Sequence, residues 1–188
     1  MRDPDEDLLV RIGAGDAGAA ASLVRRHLSR ILALSRRMLS DPTEAEDVSQ
    51  EVFLKVWRQA PVWRPGQAKF ETWIYRVALN LCLDRLRRRR RTVGEPPSDL
   101  VDPAASATRP MEDAERRARV QAALDRLPER QRAALVLCYF DECSNIEASR
   151  HLGVSVEALE SLLARARRGL KRELAAERGE LMGALDGD

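Results

Sequence analysis

The sequence predicts an all-α protein that consists of two small helical domains joined by a flexible linker. Its 188 residues are rich in Ala, Leu, Arg and Glu, which favour helices. β-branched residues are scarce and no long alternating apolar run occurs, so we expect no sheet. Four of the nine prolines fall between Thr92 and Glu112, among small and acidic residues. This segment has the composition of a linker, which gives domains at residues 1–91 and 113–188 around a linker at 92–112.

Capping signals define the helices of the first domain. Asp16 is placed to cap a long helix that reaches Leu39. The apolar stripe of this helix is Leu23, Leu28, Ile31, Leu32, Leu34 and Leu39. Thr43 and Glu46 form a capping box, which predicts a second helix that extends to about Gln59.

A loop and a third long helix complete the first domain. The stretch APVWRPGQAK contains two prolines and a glycine and is expected to be a loop. It leads into FETWIYRVALNLCLDRLRRRRR, an amphipathic segment from Phe70 to Arg91 that ends with six arginines in seven residues. We expect one continuous helix here.

The second domain has the pattern of a helix-turn-helix. Two helices are predicted first, from about Glu112 to Leu127 and from Pro128 to Phe140. Ser144 and Glu147 then form a capping box, Gly153 ends that helix in a tight turn, and Ser155 caps the next helix. The residues placed to share a small core are Ala148, Leu152, Val154, Leu159 and Leu162. Short helix hairpins also occur in structural bundles, but the basic ARARRGLKR tail favours DNA binding.

Positive charge is concentrated in the first domain, which indicates a polyanionic partner. Residues 1–91 carry 18 basic and 12 acidic side chains, whereas residues 113–188 carry 13 basic and 14 acidic ones. Six of the eight aromatic residues fall between residues 53 and 75. Rings beside arginines can hold single-stranded nucleic acid, although Phe53 and Trp57, on an apolar stripe, are better explained by packing. Asn80 lies two helical turns after Trp73, so both can share one face.

Other functions have weaker support in the sequence. The cysteines Cys82, Cys138 and Cys143 form no CxxC pair, and their spacing to His151 fits no common zinc pattern, so we expect buried thiols and no metal. His27 is expected on a helix surface. No phosphate-cradling glycine loop or nucleophile–base motif occurs, so we predict no enzyme, no catalytic residues and no cofactor. The acidic N-terminus lacks a secretory signal and no apolar run could span a bilayer, so we expect a cytoplasmic protein.

Three motifs, taken in order, resemble the extracytoplasmic-function (ECF) sigma factors, group 4 of the sigma-70 family. These motifs are AEDVSQEVFLKVWRQ, FETWIYRVALNLCLDRLRRRR and LPERQRAALVLCYFDECSNIEASRHLGVS. The resemblance covers nearly the whole chain. It implies a non-enzymatic transcription initiation factor, often one of a stress response, that works with bacterial RNA polymerase core and promoter DNA. It also implies control by an anti-sigma factor, membrane-anchored or not.

The resemblance implies a role for each domain. The first would bind core polymerase and the −10 element, and the second would bind the −35 element through Val156–Lys171. The implied core-binding residues are Asp47, Gln50, Glu51 and Lys55. The implied −10 residues are Arg64, Lys69, Trp73, Arg76, Asn80, Arg85, Arg87 and Arg88. The implied −35 residues are Ser155, Glu157, Ala158, Glu160, Ser161, Arg165, Arg167 and Arg168.

The recognition helix departs from the family pattern. Members commonly read VGTVKSRLARAR, whereas this chain reads VEALESLLARAR. Either its −35 sequence is unusual, since Glu can accept a hydrogen bond from cytosine N4, or the helix binds DNA weakly and depends on polymerase. Two other function classes stay open at this stage: a free-standing helix-turn-helix regulator of duplex DNA, and an adaptor whose basic domain binds an acidic protein.

Overall fold

The computed structural model describes residues 3–64, 66, 69–92 and 109–185, and the side chains of 92, 109–113 and 176–185 are left aside. It is all-helical over these ranges. The first lobe contains α1 (Glu6–Gly13), α2 (Ala17–Leu39), α3 (Pro42–Gln59), a 3₁₀ turn (Ala60–Val62) and α4 (Phe70–Thr92). The second lobe contains α5 (Arg109–Asp125), α6 (Glu129–Leu135), a π-helical turn (Val136–Phe140), α7 (Asn145–Leu152) and α8 (Val156–Leu185). Most of the predicted linker, residues 93–108, lies outside the described residues.

The helix caps follow the predicted signals with one exception. The carboxylate of Asp16 accepts a hydrogen bond from the backbone N–H of Ala19 at 3.0 Å, so it caps α2 as predicted. The predicted box of Thr43 and Glu46 is wrong, because α3 begins earlier. Asp41 is its N-cap and accepts from the N–H of Glu44 at 3.0 Å, and Pro42 occupies the first turn, where proline fits without losing a hydrogen bond.

The first lobe is built around the buried face of α2. This face repeats every three to four residues through Ala19, Leu23, His27, Ile31, Leu34 and Met38. Leu28 lies beside this stripe and is 38% exposed, so its predicted place in the stripe is wrong. The surface position predicted for His27 is also wrong, because His27 lies on the stripe and is buried. Its Nε2 atom is 2.9 Å from a carboxylate oxygen of Asp5, which offsets the cost of burying the ring.

The second lobe forms the predicted helix-turn-helix. Ser144 and Glu147 make a reciprocal capping box at the start of α7. Gly153 ends α7 with a left-handed φ of 64°, and the hydroxyl of Ser155 accepts from the N–H of Ala158 at 3.2 Å. Its core includes Leu124, Leu127, Leu135, Leu137, Ala148, Leu152, Leu159 and Leu163, with Val154 and Leu162 partly buried against it.

The two lobes meet between α4 and α7, where the rings of Tyr75 and His151 lie 5.0 Å apart, and at the C-terminal end of α2. A helix leaves its last carbonyl groups without intrahelical donors, and here each of the last four carbonyls accepts from a different group. Ser40 N–H donates to Arg36, and Arg89 of α4 donates to Leu39. The other two donors come from the second lobe, where Gln121 donates to the carbonyl of Arg37 at 3.0 Å and Arg132 donates to that of Met38 at 2.6 Å.

Candidate nucleic-acid interface

Three rings pack together where the loop after the 3₁₀ turn enters α4. Trp63, Phe70 and Trp73 have ring centroids between 5.5 and 5.8 Å apart. Phe70 is fully buried, whereas the two tryptophans are half-buried, and the indole N–H of Trp63 has no hydrogen-bond partner among the residues that the structure describes. All three belong to the six aromatic residues between positions 53 and 75. The cluster both packs the lobe and leaves ring surface exposed.

The exposed face of α4 follows directly from this cluster. Trp73, Arg76, Asn80 and Arg87 are spaced by three, four and seven residues, which places them on one side of the helix. Asn80, Arg76 and Arg87 are exposed, and Trp73 is half-buried. The face therefore presents a ring edge, a guanidinium and an amide in a row, with cationic side chains at its C-terminal end. Arg88, the next residue after Arg87 along the helix, is also exposed.

The arginine run does not all face the same way. Arg85 turns toward α3, where its guanidinium lies 3.9 Å from Asp47 and 3.6 Å from Glu51. Arg89 lies on the same side and pairs with Glu44 at 2.8 Å. Arg85, one of the predicted −10 residues, is thus brought to two of the predicted core-binding acids and away from Asn80. The helical rotation of about one hundred degrees per residue explains this division of the run.

The predicted core-binding residues form one outer face of α3. Asp47 and Gln50 are exposed, and the half-buried Glu51 and Lys55 pair across one turn at 3.7 Å. Leu54 lies among them and is 53% exposed. Sequence reasoning missed Leu54, although its position off the apolar stripe of Val52 and Val56 was a detectable signal.

The loop before α4 carries the two remaining cationic residues predicted for the −10 element. Arg64 and Lys69 are both exposed, at either side of a turn whose Gly66 has a φ of 82°. This left-handed conformation favours glycine. The neighbouring positions 65, 67 and 68 lie outside the described residues.

The first turns of α8 present the residues predicted for the −35 element. Ser155, Glu157, Ala158, Ser161, Arg165 and Arg168 are exposed, while Leu159, Leu163 and Ala166 face the core. The pKa of Glu157 is lowered by hydrogen bonds from its own backbone N–H and from Ser155, so this position is an anion at neutral pH. Glu160 is exposed and accepts from the side-chain amide of Asn145 at 3.5 Å.

Arg167 has an intramolecular partner that the sequence did not reveal. Its Nε donates to the hydroxyl of Tyr139 at 2.6 Å, and its guanidinium lies 5.4 Å from the centre of that ring. A side chain held in this way is less available to a phosphate than Arg165 or Arg168. The structure thus leaves Arg165 and Arg168 as the open cations of this helix among the residues predicted for DNA.

Neither a metal centre nor a membrane span is found in the part of the chain that the structure describes. No three His, Cys, Asp or Glu side chains there come together as metal ligands. None of the described helices is long and apolar enough to cross a membrane. Cys82 is buried against Ser35, and burial raises the pKa of its thiol to about 12. Cys138 and Cys143 are only half-buried, so the prediction of buried thiols is wrong for these two.

Two family models match the chain. Residues 23–92 match the family model of Sigma-70 region 2, and residues 117–170 match that of Sigma-70, region 4. The ECF RNA polymerase sigma factor SigE of Mycolicibacterium smegmatis is 38% identical over 173 residues, which span 88% of this chain and 66% of that protein. SigM of Mycobacterium tuberculosis is also 38% identical, over 90% of this chain and 84% of its own length.

Solved structures have the same architecture. CnrH, in complex with the cytosolic domain of CnrY, superposes with a TM-score of 0.67 and 28% identity, over 92% of this chain and 97% of that one. The sigma factor RpoE of Bartonella quintana, in complex with the anti-sigma factor NepR, superposes with a TM-score of 0.64 and 22% identity, over 82% of this chain and 96% of that one, a likeness of fold. With two sigma-70 regions matched in order and a relative this similar over most of both chains, the protein belongs to the ECF RNA polymerase sigma factors.

Proposed function

We propose that this chain directs bacterial RNA polymerase core to promoters and helps to separate the strands of the −10 element. The observation that carries the proposal is the exposed face of α4, where Trp73, Arg76 and Asn80 stand in helical register beside an aromatic cluster. In this proposal residues 1–91 bind core and the −10 element, and residues 113–188 bind the −35 element. The polymerase performs the chemistry, and this chain is not itself an enzyme.

Strand capture needs three chemical features, and the face of α4 supplies each of them. Stacking of an unpaired base on an aromatic side chain contributes about 1–3 kcal/mol, and Trp73 and Trp63 leave ring surface exposed for it. The amide of Asn80 has donors and an acceptor that can pair with an exposed base edge. Arg76, Arg87, Arg88, Arg64 and Lys69 are exposed cations that can follow the phosphates of the strand.

The outer face of α3 is our proposed contact with core polymerase. Asp47, Gln50, Glu51 and Lys55 supply the polar contacts, and Leu54 supplies an apolar one at their centre. An apolar side chain ringed by polar groups is a common arrangement at protein interfaces, where it is buried on binding. Arg85 of α4 would orient the carboxylates of Asp47 and Glu51, since its guanidinium lies within 4 Å of both.

The N-terminal half of α8 is our proposed reader of the −35 element. Glu157 and Glu160 can accept hydrogen bonds from cytosine N4 in the major groove, where an arginine would read guanine. Arg165 and Arg168, together with Ser155 and Ser161, are placed for phosphate contacts. This arrangement favours an unusual −35 sequence, because two acids are costly near phosphates unless they read bases.

A protein inhibitor is the third proposed partner. CnrH, which aligns with 92% of this chain, is seen with the cytosolic domain of CnrY. We propose that an anti-sigma factor similarly holds this chain away from polymerase.

The proposal is tested by strand binding with and without core polymerase. Gel shifts of a promoter duplex and of its −10 non-template strand should require core enzyme. Asn80→Ala should lower strand binding and open-complex formation while core affinity stays within a factor of two. Gln50→Ala, an amide removed from the proposed core-binding face, is the reciprocal control and should lower core affinity.

Each alternative has its own result in this experiment. Tight binding of duplex without core would favour a free-standing regulator of duplex DNA. Salt-insensitive binding to an acidic protein, with no affinity for single strands, would favour an adaptor. An equal loss of core affinity and strand binding in Asn80→Ala would make Asn80 a structural residue and remove the strand-capture role.

A further inference from the structure

The acidic N-terminal segment, residues Asp3 to Glu6, contacts the loop and helix to which we assign strand capture. It was not predicted as a structural element, because the side-chain hydrogen-bond partners that it has outside the segment lie more than twenty residues away along the chain. Three of its carboxylates, those of Asp3, Asp5 and Glu6, each bond a different site. Asp5 and Glu6 are buried, which is unusual for acids unless their oxygens are satisfied.

Asp3 caps α4 from a distant part of the sequence. One of its carboxylate oxygens accepts from the backbone N–H of Phe70 at 2.7 Å, and the other accepts from the N–H of Asp5 at 3.0 Å. The first N–H groups of a helix have no intrahelical acceptor, and an anion there also suits the helix dipole. The first turn of α4, which carries Phe70 and Trp73, is therefore fixed by a side chain outside that helix.

Glu6 holds the loop that precedes α4. Its Oε1 accepts from the N–H of Gly66 at 2.9 Å. Gly13, the last residue of α1, packs closely against Pro61 of the 3₁₀ turn, at the start of the same loop. A Cβ added to Gly13 would lie 3.1 Å from the Cα of Pro61. Contacts from the N-terminal region thus restrain the loop at Pro61, at Gly66 and at Phe70.

Asp5 fastens the segment to α2. Its carboxylate bonds the guanidinium of Arg26 and the Nε2 of His27. The ring of His27 meets the ring of Phe70 edge to face, with centroids 5.6 Å apart. The segment is consequently part of a rigid path that runs from α2 to the aromatic cluster.

We propose that Asp3 and Glu6 are positioning residues for strand capture: they fix the loop carrying Arg64 and Lys69, and the first turn of α4, in the geometry that accepts an unpaired base. This inference rests on the proposed function. Neither side chain needs to touch DNA. Removing their acceptors frees the loop and the helix start, so the captured strand binds less tightly and its base is selected less strictly.

The test compares variants assembled with core polymerase. The first probe is a single-stranded DNA selected from a random pool by the wild-type holoenzyme. The other probes are the same DNA with each of the other three bases at the position that contacts Asn80. The perturbed protein is Asp3→Ala with Glu6→Ala. The matched control is Glu115→Ala, which removes an exposed acid of α5 in the other lobe. Glu6→Gln is the conservative variant, because its amide oxygen can still accept from Gly66.

We expect the double variant to bind the selected strand about tenfold more weakly, the order of effect of losing a charge-assisted hydrogen bond, and to discriminate less between bases. Glu6→Gln and Glu115→Ala should match the wild type, and core affinity should be unchanged in all of them. Base discrimination is the deciding measurement, since partial unfolding would lower the active fraction without changing the preference between bases.

Unchanged discrimination in the double variant, with discrimination lost in Asn80→Ala, would overturn this inference and leave the proposed function in place. A wild-type holoenzyme that selects no single strand from the pool would overturn the proposed function, and this inference with it. Weak binding by Glu6→Gln equal to that of the double variant would also count against the inference, because it would show that charge and not position matters.

Discussion

Asp141 gives the sharpest prediction of stability, because burial and nearby cations act on it in opposite directions. It follows the π-helical turn, its side chain is only 7% exposed, and one carboxylate oxygen has no hydrogen-bond partner. Arg37 lies 3.5 Å away and Arg30 is also near, and both favour the charged form. Burial outweighs them and raises the pKa of Asp141 from 3.8 to about 6.

The change in stability can be worked out from this pKa. As pH rises from about 4 to above 6, the unfolded chain loses the proton of Asp141 before the folded one does. Folding stability therefore falls across this window, and the gap from 3.8 to about 6 corresponds to about 3 kcal/mol. Asp141→Asn removes this loss. The variant should match the wild type near pH 4 and be more stable by up to about 3 kcal/mol at pH 8.

Urea denaturation of both proteins between pH 4 and 8 measures the effect. The pKa of His151 is lowered, chiefly by burial, so its contribution to stability is lost as pH falls. Because both proteins retain His151, the difference between their curves isolates Asp141. The matched control is Asp84→Asn, which removes an exposed acid of α4. Parallel curves, or a variant less stable at pH 8, would show that the ion pair with Arg37 outweighs burial and would refute the reasoning.

Three further predictions concern the core-binding face, the contact between lobes and the turn of the helix-turn-helix. Replacing Asp47 and Glu51 with lysine should lower the affinity for core polymerase at least tenfold, as measured by surface plasmon resonance, while the assembled complex still captures the strand. Normal assembly of this variant would remove the docking assignment. Arg132→Met leaves the carbonyl of Met38 without its donor and should lower the free energy of unfolding by about 2 kcal/mol, as measured by urea denaturation. An unchanged urea midpoint would contradict this prediction. Gly153→Ala forces alanine to adopt a φ of 64° and should lower stability by about 1 kcal/mol, measured by thermal unfolding.

Local signals predicted most of the helices, and long-range pairs account for what was missed. The caps at Asp16 and Ser144 and the turn at Gly153 depend on residues three or four apart, so the sequence displays them directly. The start of α3 was placed late because Asp41 and Pro42 make an equally local signal that competes with Thr43. His27 could not be recognised as buried, since the acid that stabilises it lies 22 residues away.

The candidate interface was predictable in register but not in its ion pairs. Helical spacing alone places Trp73, Arg76 and Asn80 on one face, and the structure shows them there. Nothing in the spacing revealed that Arg85 pairs with Asp47, or that Arg167 bonds Tyr139. Such pairings depend on how separate helices are brought together.

The four carbonyls at the end of α2, two of which accept hydrogen bonds from the other lobe, affect how the molecule changes shape. Gln121 and Arg132 supply two of the donors across the boundary between the lobes, and water can replace a polar donor that withdraws. The rings of Tyr75 and His151 also meet across this boundary, with centroids 5.0 Å apart, so parting the lobes exposes apolar surface there as well. A partner that spreads the two halves along DNA would therefore have to offset the exposure of this ring contact, whereas the two polar contacts can be exchanged for water.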